Sequence, residues 1–218
     1  MRINEVFASI QGEGTLAGVP SLFIRTTGCN LRCTWCDTPF TSWEPRGDDW
    51  TMDQLDAWVA EHPQIRHVVV TGGEPMIQPK IGELTGRLRA AGRHITVETA
   101  GTVWADVACD LMSISPKLRN STPEGNEQHE RLRYQPTVLR RLMDAFVYQL
   151  KFVVMAAEDM NEIRWMVREL GAPADRVLLM PEGTSSQVLL DRARWVVEIC
   201  KSEGYRYCPR LHVDLRIS

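Results

Sequence analysis

The sequence predicts an α/β fold, in which six strand–helix units form a shortened, partial TIM-like (β/α)6 barrel of mostly parallel strands. Apolar runs of strand length alternate with helical patterns, and several of these runs are continuously apolar. Continuous apolar strands are usually buried on both faces, as in a parallel sheet covered by helices. The 218 residues are few enough to predict one domain, spanning 1–218.

The strands are predicted from apolar runs bounded by turn residues. In chain order they are Ser21–Thr26, His67–Thr71, His94–Glu98, Leu111–Ile114, Ala145–Val154 and Arg176–Met180.

The helices between them follow from apolar residues at helical spacing. They are Thr51–Glu61, Ile81–Ala91, Pro136–Asp144, Glu158–Leu170 and Ser186–Glu203. Their predicted N-caps are Thr51, Asp159, and Ser185 or Ser186. The segment Lys117–Arg133 is polar and has no apolar period, so it is predicted to be a loop near the carboxyl edge of the sheet.

Composition excludes several function classes. The net charge of −3 and pI near 6.0 leave no basic footprint for nucleic acid. The N-terminal residues have no apolar stretch of signal-peptide length, and no window is apolar enough to span a membrane, so a cytoplasmic protein is predicted. Of its six cysteines, three fall within eight positions, which favours metal binding in a reducing compartment.

The clustered cysteines, Cys29, Cys33 and Cys36, follow the first predicted strand. Three thiolates on a 4Fe–4S cluster leave one iron open, and an open iron can bind a substrate. Two alternatives remain at this point: a structural zinc, which needs a fourth ligand, and a redox pair formed by Cys33 and Cys36. No function is assigned to the other three cysteines.

Four later strands end in polar or glycine-rich motifs, which predicts a shared binding rim at their carboxyl ends. These motifs are Thr71–Pro75, Glu98–Thr102, Ser115–Lys117 and Met180–Gly183. Each could also be a simple turn.

The C-x-x-x-C-x-x-C spacing followed by Thr-Gly-Gly-Glu-Pro resembles the radical S-adenosylmethionine superfamily. This resemblance implies that the open iron binds S-adenosylmethionine (SAM), whose cleavage gives a 5′-deoxyadenosyl radical, so that no side chain is predicted as a catalytic acid, base or nucleophile. It also implies a set of SAM-binding residues: Trp35, Asp37, Gly72, Gly73, Glu74, Glu98, Thr99, Ser115, Lys117, Met180, Pro181, Glu182 and Gly183.

The first forty residues add finer motifs: Ile3–Gly14 (INEVFASIQGEG), Phe23–Arg25 and Trp35–Thr38. With the rim motifs and a C-terminal histidine, they resemble the 7-carboxy-7-deazaguanine synthase family. That family converts 6-carboxy-5,6,7,8-tetrahydropterin to 7-carboxy-7-deazaguanine with loss of ammonia, on the route to queuosine and other deazapurines.

The resemblance implies substrate contacts at Ile10, Gln11, Gly12, Glu13, Arg25, Thr71, His212 and Ser218, and a Mg²⁺ ligand at Thr38. Gln11, Glu13 and Arg25 offer an amide, a carboxylate and a guanidinium, which suit a pterin edge and a carboxylate. Gln11 and Glu13 could instead be exposed turn residues, Arg25 could pair with a surface acid, and His212 could lie on a strand Arg210–Leu215.

The resemblance also implies an electron donor such as flavodoxin and a homodimer. Two rival functions stay open: an activase that generates a glycyl radical on a partner protein, and a zinc-binding module without catalysis. The QGEG, Arg25 and CDT series favours the synthase over the activase.

Overall fold

A computed structural model describes residues 1–217. Their strands form one nine-stranded sheet in the order β3-β1-β2-β4-β5-β6-β7-β8-β9. The strands are β1 Arg2–Ile10, β2 Pro20–Thr26, β3 Asp48–Asp49, β4 His67–Gly72, β5 His94–Thr99, β6 Leu111–Ile114, β7 Tyr148–Val154, β8 Val177–Pro181 and β9 Arg206–Tyr207.

From β2 onward, every neighbouring pair of strands is parallel. The six predicted strands are all present, as β2, β4, β5, β6, β7 and β8, within two residues at every boundary except the start of β7. That strand was predicted to begin at Ala145 but begins at Tyr148, because the preceding helix continues to Ala145. The α/β class and the mostly parallel partial barrel are therefore confirmed, and the sheet is open rather than closed.

The first strand was missed by the sequence analysis. β1 pairs antiparallel with β2 over most of its length and with the short edge strand β3. Its sequence, RINEVFASI, shows neither a continuous apolar run nor a strict alternation. Antiparallel pairing with the next strand, β2, holds β1 in the sheet even though its own residues carry no strand pattern.

The helices are α1 Pro39–Ser42, α2 Met52–Ala60, α3 Ile81–Ala90, α4 Glu127–Leu132, α5 Pro136–Ala145, α6 Asp159–Leu170, α7 Ser186–Glu203 and α8 Leu211–Leu215. The five predicted helices are confirmed. Thr51 caps α2 in a reciprocal capping box with Gln54, and the Ser185 side chain accepts from the backbone of Val188 at the start of α7.

Two local predictions are wrong, and one alternative is excluded. Asp159 is the first residue of α6 rather than its cap, because its carboxylate accepts from the backbone N–H groups of Met155 and Ala156 in the preceding turn. Residues 117–133 are not a simple loop, since they contain a 3₁₀ turn and α4. The segment at His212 is the helix α8, which excludes the alternative of a strand at Arg210–Leu215.

The main core lies between the sheet and its helices and includes alternate residues of the central strands, among them Val68, Val70, Ile95 and Val97. These side chains point to one face of the sheet, so the other face can line a cavity. Within residues 1–217, no helix combines the length and apolar character that a membrane span requires.

Candidate active site at the carboxyl end of the sheet

One cavity of about 470 Å³ opens at the carboxyl ends of the parallel strands. This volume suits a small-molecule site. It is lined by most of the residues that the sequence singled out: Ile10, Gln11, Gly12, Glu13, Arg25, Cys29, Cys33, Trp35, Cys36, Asp37, Thr38, Thr71, Gly72, Gly73, Glu98, Thr99, Ser115, Lys117, Met180, Glu182 and His212. Glu74, Pro181 and Gly183 are not among the lining residues, and Ser218 lies outside the described residues.

The three clustered cysteines lie on the loop between β2 and α1, and all three are free thiols. Cys33 packs with the buried apolar residues Leu31 and Ala100. Burial raises the pKa of Cys29 to about 12 and that of Cys33 to about 11. Because metals and clusters bind the thiolate, loading this site releases protons, and the bound cations replace them as counter-charge.

The residues present fit a cluster better than a single zinc ion. Among residues 1–217, no three His, Cys, Asp or Glu side chains converge closely enough to hold one metal ion. A four-iron cluster does not need such convergence, because each thiolate binds a different iron.

Glycines bring the rim close to the cysteine loop. A Cβ on Gly73 would come within 2.8 Å of the Cys29 Cβ, so any larger residue there would displace the loop. Gly72 has φ of +137°, in the region that favours glycine, and a Cβ there would lie 2.7 Å from the Thr26 backbone N. These two glycines therefore hold the rim after β4 against the loop that carries the cysteines.

Glu74 acts beneath the cavity rather than in it. Its buried carboxylate accepts from the Thr99 hydroxyl and from the backbone N–H of Ala100, both at 2.8 Å, and from the N–H of Met76 at 3.1 Å. Burial raises the pKa of this carboxyl, although those hydrogen bonds oppose the shift. Glu74 thus joins the ends of β4 and β5.

The segment 117–133 closes over the other side of the cysteine loop. The backbone N–H of Thr34 donates to the Ser121 carbonyl at 2.9 Å, and the Trp35 indole donates to the Asn120 carbonyl at 3.1 Å. The buried His129 accepts from the N–H of Arg32 at 3.0 Å. This polar segment is ordered because its hydrogen bonds go to the cysteine loop, a partner that a local pattern does not reveal.

Lys117 is the first residue of this segment and follows the end of β6. Its ammonium donates to the Ser115 hydroxyl at 2.9 Å and lies 5.7 Å from the centre of the Trp35 ring. This contact brings a cation to the edge of the cavity, next to the cysteines.

A second group of polar side chains surrounds Glu98 at the end of β5. Gln11 donates to one carboxylate oxygen at 3.2 Å, and the Thr71 hydroxyl donates to the other at 2.9 Å. The Gln11 oxygen accepts from the backbone N–H of Glu13 at 3.1 Å. Gln11 is buried, so the alternative of an exposed turn residue does not describe it.

Glu13 lies between cations on the cavity floor. The ammonium of Lys151, on β7, donates to its Oε2, and the Arg210 Nε donates to its Oε1 at 3.2 Å. Burial alone would raise the pKa of Glu13, but these two cations lower it to about 2. Glu13 is therefore a fixed anion at any physiological pH.

His212 joins this group from α8. Its Nε2 is 3.9 Å from the Glu13 Oε1, and a Cβ on Gly12 would collide with its ring. Burial lowers the pKa of His212, against the opposing effect of Glu13.

At the open side of the cavity, Arg25 pairs with Glu5 at 2.7 Å and lies 5.6 Å from the centre of the Phe7 ring. Phe7 in turn stacks on Phe23 at 4.8 Å between ring centres, with the rings nearly parallel. Arg25 therefore does pair with an acid, which was one of the alternatives for this residue. It also lines the cavity, together with Phe7 and Phe23.

Three charged lining residues were not predicted as site residues by the sequence analysis: Glu5, Lys151 and Arg210. Lys151 had a signal, because a lysine within the apolar run of β7 must find a partner if the strand is buried. Gln149 and Lys151 are two residues apart on β7 and lie on the same face of the strand. The two-residue alternation of side chains along a strand therefore predicts that both point to the cavity side of the sheet. Arg210 precedes a short helix and had no such signal.

The chain was compared with known proteins. Residues 23–120 match the family model described as the radical SAM superfamily. A 7-carboxy-7-deazaguanine synthase of Rhodopirellula baltica is 48% identical, over 97% of this chain and 84% of that protein. The synthase of Halobacterium salinarum is 44% identical, over 98% of this chain and 89% of that protein.

The chain belongs to the 7-carboxy-7-deazaguanine synthase family. The fold agrees, since the crystal structure of QueE from Escherichia coli superposes with a TM-score of 0.71 at 27% identity, covering 97% of this chain and 94% of that one. Membership makes the chain a radical SAM enzyme of the lyase class and implies a 4Fe–4S cluster and SAM as cofactors.

Proposed function

We propose that this enzyme converts 6-carboxy-5,6,7,8-tetrahydropterin to 7-carboxy-7-deazaguanine with loss of ammonia. The observation that carries the proposal is one cavity that is lined both by three free cysteines and by the polar group of Gln11, Glu13 and Thr71. A reactive group formed at the cysteines would therefore meet a substrate held by those side chains.

The cysteines Cys29, Cys33 and Cys36 would hold the cluster, which when bound supplies the electron that cleaves SAM. Around them, Trp35, Asp37, Gly72, Gly73, Glu98, Thr99, Ser115, Lys117, Met180 and Glu182 line the cavity and would contact SAM. Glu74, Pro181 and Gly183 would act from behind, by holding the rim in place.

The substrate's pyrimidine edge presents both donors and an acceptor. The carboxylate of Glu13, whose side chain is 14% exposed, can accept from its N–H groups, and the Gln11 amide and Thr71 hydroxyl complete the set. A site of this kind rejects analogues that lack the matching polar atoms, because its own buried groups would then lose their partners.

The substrate carboxylate needs cations. Arg25 would bind it in the bidentate geometry that guanidinium allows, after giving up part of its contact with Glu5. Phe7 and Phe23, stacked beside Arg25, offer an apolar face to the ring. Thr38, with its hydroxyl at the cavity, would contribute an oxygen ligand to Mg²⁺.

Further proposals concern the whole protein. The single sheet supports one domain over 1–218. We also propose a cytoplasmic homodimer that receives electrons from a donor such as flavodoxin and does not bind nucleic acid or a membrane. Ile10, Gly12, His212 and Ser218 complete the proposed substrate contacts.

One assay tests the proposal. Anaerobically reconstituted protein is incubated with reductant, SAM, Mg²⁺ and 6-carboxytetrahydropterin, and the products are analysed by mass. We expect a product of the mass of 7-carboxy-7-deazaguanine, formed with ammonia. Cleavage of SAM without that product would contradict the substrate and leave a glycyl-radical activase as the alternative. Protein that binds zinc and no iron or sulfide would instead indicate the binding module.

A further inference from the structure

Arg210 joins four segments of the chain through one guanidinium. Its Nε donates to Glu13 at 3.2 Å, its Nη1 donates to the Gly183 carbonyl at 2.6 Å, and its Nη2 donates to Asp37. Glu13 precedes β2, Asp37 follows the last clustered cysteine, and Gly183 follows β8. The Arg210 side chain is 6% exposed and Glu13 is 14% exposed, so this pair is largely shielded from water, whereas Asp37 reaches Arg210 from the surface with its side chain 50% exposed.

The chain just before Arg210 is held by the sheet, since Cys208 is buried and its N–H donates to the Leu179 carbonyl at 2.9 Å, but the helix α8 that follows Arg210 has little other support. None of the five residues of α8 is buried, and Leu215 is 57% exposed. Its backbone contact with the cavity floor is the bond from the N–H of Leu211 to the Gly12 carbonyl, at 2.9 Å. A helix of five residues without an apolar face does not hold its position by itself. A polar anchor must therefore supply the order that packing does not.

We propose that Arg210 is a positioning residue that fastens residues 210–217 over the cavity and fixes Glu13 and His212 in the substrate site. This inference rests on the proposed function for the identity of the substrate. The anchoring itself depends on chemistry that is independent of the substrate.

The geometry requires arginine. A guanidinium presents five donors in a planar fork, so it can bond two carboxylates and a carbonyl in different directions at once. A lysine at this position would keep the charge but could not span all three acceptors. With Lys151 on the other carboxylate oxygen, Arg210 also prevents Glu13 from rotating.

Hydrogen exchange of the holoprotein without substrate tests the anchoring. We expect Arg210→Ala to speed exchange in residues 211–217 about tenfold or more, while the strands of the sheet are unchanged. The matched control is Arg206→Ala, which removes an exposed arginine on the preceding strand β9 and should exchange as the wild type does. An exchange rate for Arg210→Ala within about twofold of the wild type would overturn the proposal.

Kinetics and the conservative variant separate positioning from general stability. Arg210→Ala should lower kcat/KM for the pterin about tenfold or more, chiefly through KM, with an unchanged signal from the reduced cluster in electron paramagnetic resonance. Arg210→Lys should keep the positive charge but should not restore protection of residues 211–217 from hydrogen exchange. The lysine variant also serves as the test variant if the alanine variant does not fold. If lysine restores both exchange and KM, the multiple bonding of Arg210 is refuted. If the wild-type protein forms no deazapurine, the proposed function is contradicted, while the hydrogen-exchange result still tests the anchoring by Arg210.

Discussion

Lys151 donates a hydrogen bond to the Glu13 carboxylate on the cavity floor, and both side chains are buried. Burial alone would lower the pKa of Lys151, but Glu13 raises it well above its usual range, so both partners stay charged. A buried ion pair is costly to break because the remaining charge has no solvent to stabilise it.

Lys151→Met should therefore lower the free energy of unfolding by about 3–5 kcal/mol, measured by chemical denaturation. Product formation should fall as well, since Glu13 loses the bond that fixes it. The control is Lys201→Met, which breaks an exposed pair with Glu198 and should change stability by less than about 1 kcal/mol. Equal effects of the two substitutions would show that the Glu13–Lys151 pair has no special role.

Arg25→Ala tests the proposed grip on the substrate carboxylate. We expect normal iron content and normal SAM cleavage, with kcat/KM for the pterin lowered about 100-fold, because a charge-assisted bond to a carboxylate is lost. Arg46→Ala, which removes an exposed partner of Glu44, serves as control. Unchanged turnover by Arg25→Ala would remove Arg25 from the substrate site.

The cluster ligands are tested by iron and sulfide content. Substitution of Cys29, Cys33 or Cys36 by alanine should abolish stable cluster binding and formation of 5′-deoxyadenosine, because one of the three thiolate ligands is lost. Cys109→Ala is the matched control, since this free cysteine lies away from the cavity and should load iron as the wild type does. Retained 5′-deoxyadenosine formation in any of the three variants would exclude that cysteine from the ligand set.

A pH effect is expected at the opposite end of the sheet, where His67 and His94 lie 4.3 Å apart between ring centres, with the rings tilted by 37°. Burial lowers the pKa of His67, as do His94 and Arg66, while Asp110 opposes them. The Nδ1 atoms of both histidines are buried without a hydrogen-bond partner. The folded protein therefore resists protonation here more than the unfolded chain does.

The sign follows from linkage. Below the ordinary histidine pKa of 6.5, the unfolded chain binds the proton and the folded His67 does not, so stability falls as the pH falls. His67→Phe removes this titration and should reduce the loss of stability between pH 7 and pH 5, measured by denaturation at each pH. An identical loss in wild type and variant would contradict the lowered pKa.

How much the sequence predicts depends on where each partner lies. The six parallel strands were found because buried parallel strands carry their signal locally, as at Val68–Val70. The cysteine spacing and the rim motifs predicted most of the cavity lining, because they too are local sequence patterns. β1 was missed because its own residues carry no clear strand pattern, whereas the ordered segment 117–133 and the role of Glu74 were missed because they depend on hydrogen bonds to residues far along the chain.

Resemblance supplied what the residues alone did not. The physical reading of Gln11, Glu13 and Arg25 left turn or surface roles open, and the cavity now shows Gln11 and Glu13 buried together. Arg210 could not be predicted, because its three acceptors come from three separate loops. Its importance follows from tertiary structure and not from any local pattern.

The central claim is that SAM cleaved at the cysteines acts on the pterin held beside Glu13. The most direct measurement uses 6-carboxytetrahydropterin deuterated at C6, with the products analysed by mass. The account predicts that deuterium is found in the 5′-deoxyadenosyl group and is absent from C6 of the converted substrate. Product formation without any transfer of deuterium to that group would contradict the account.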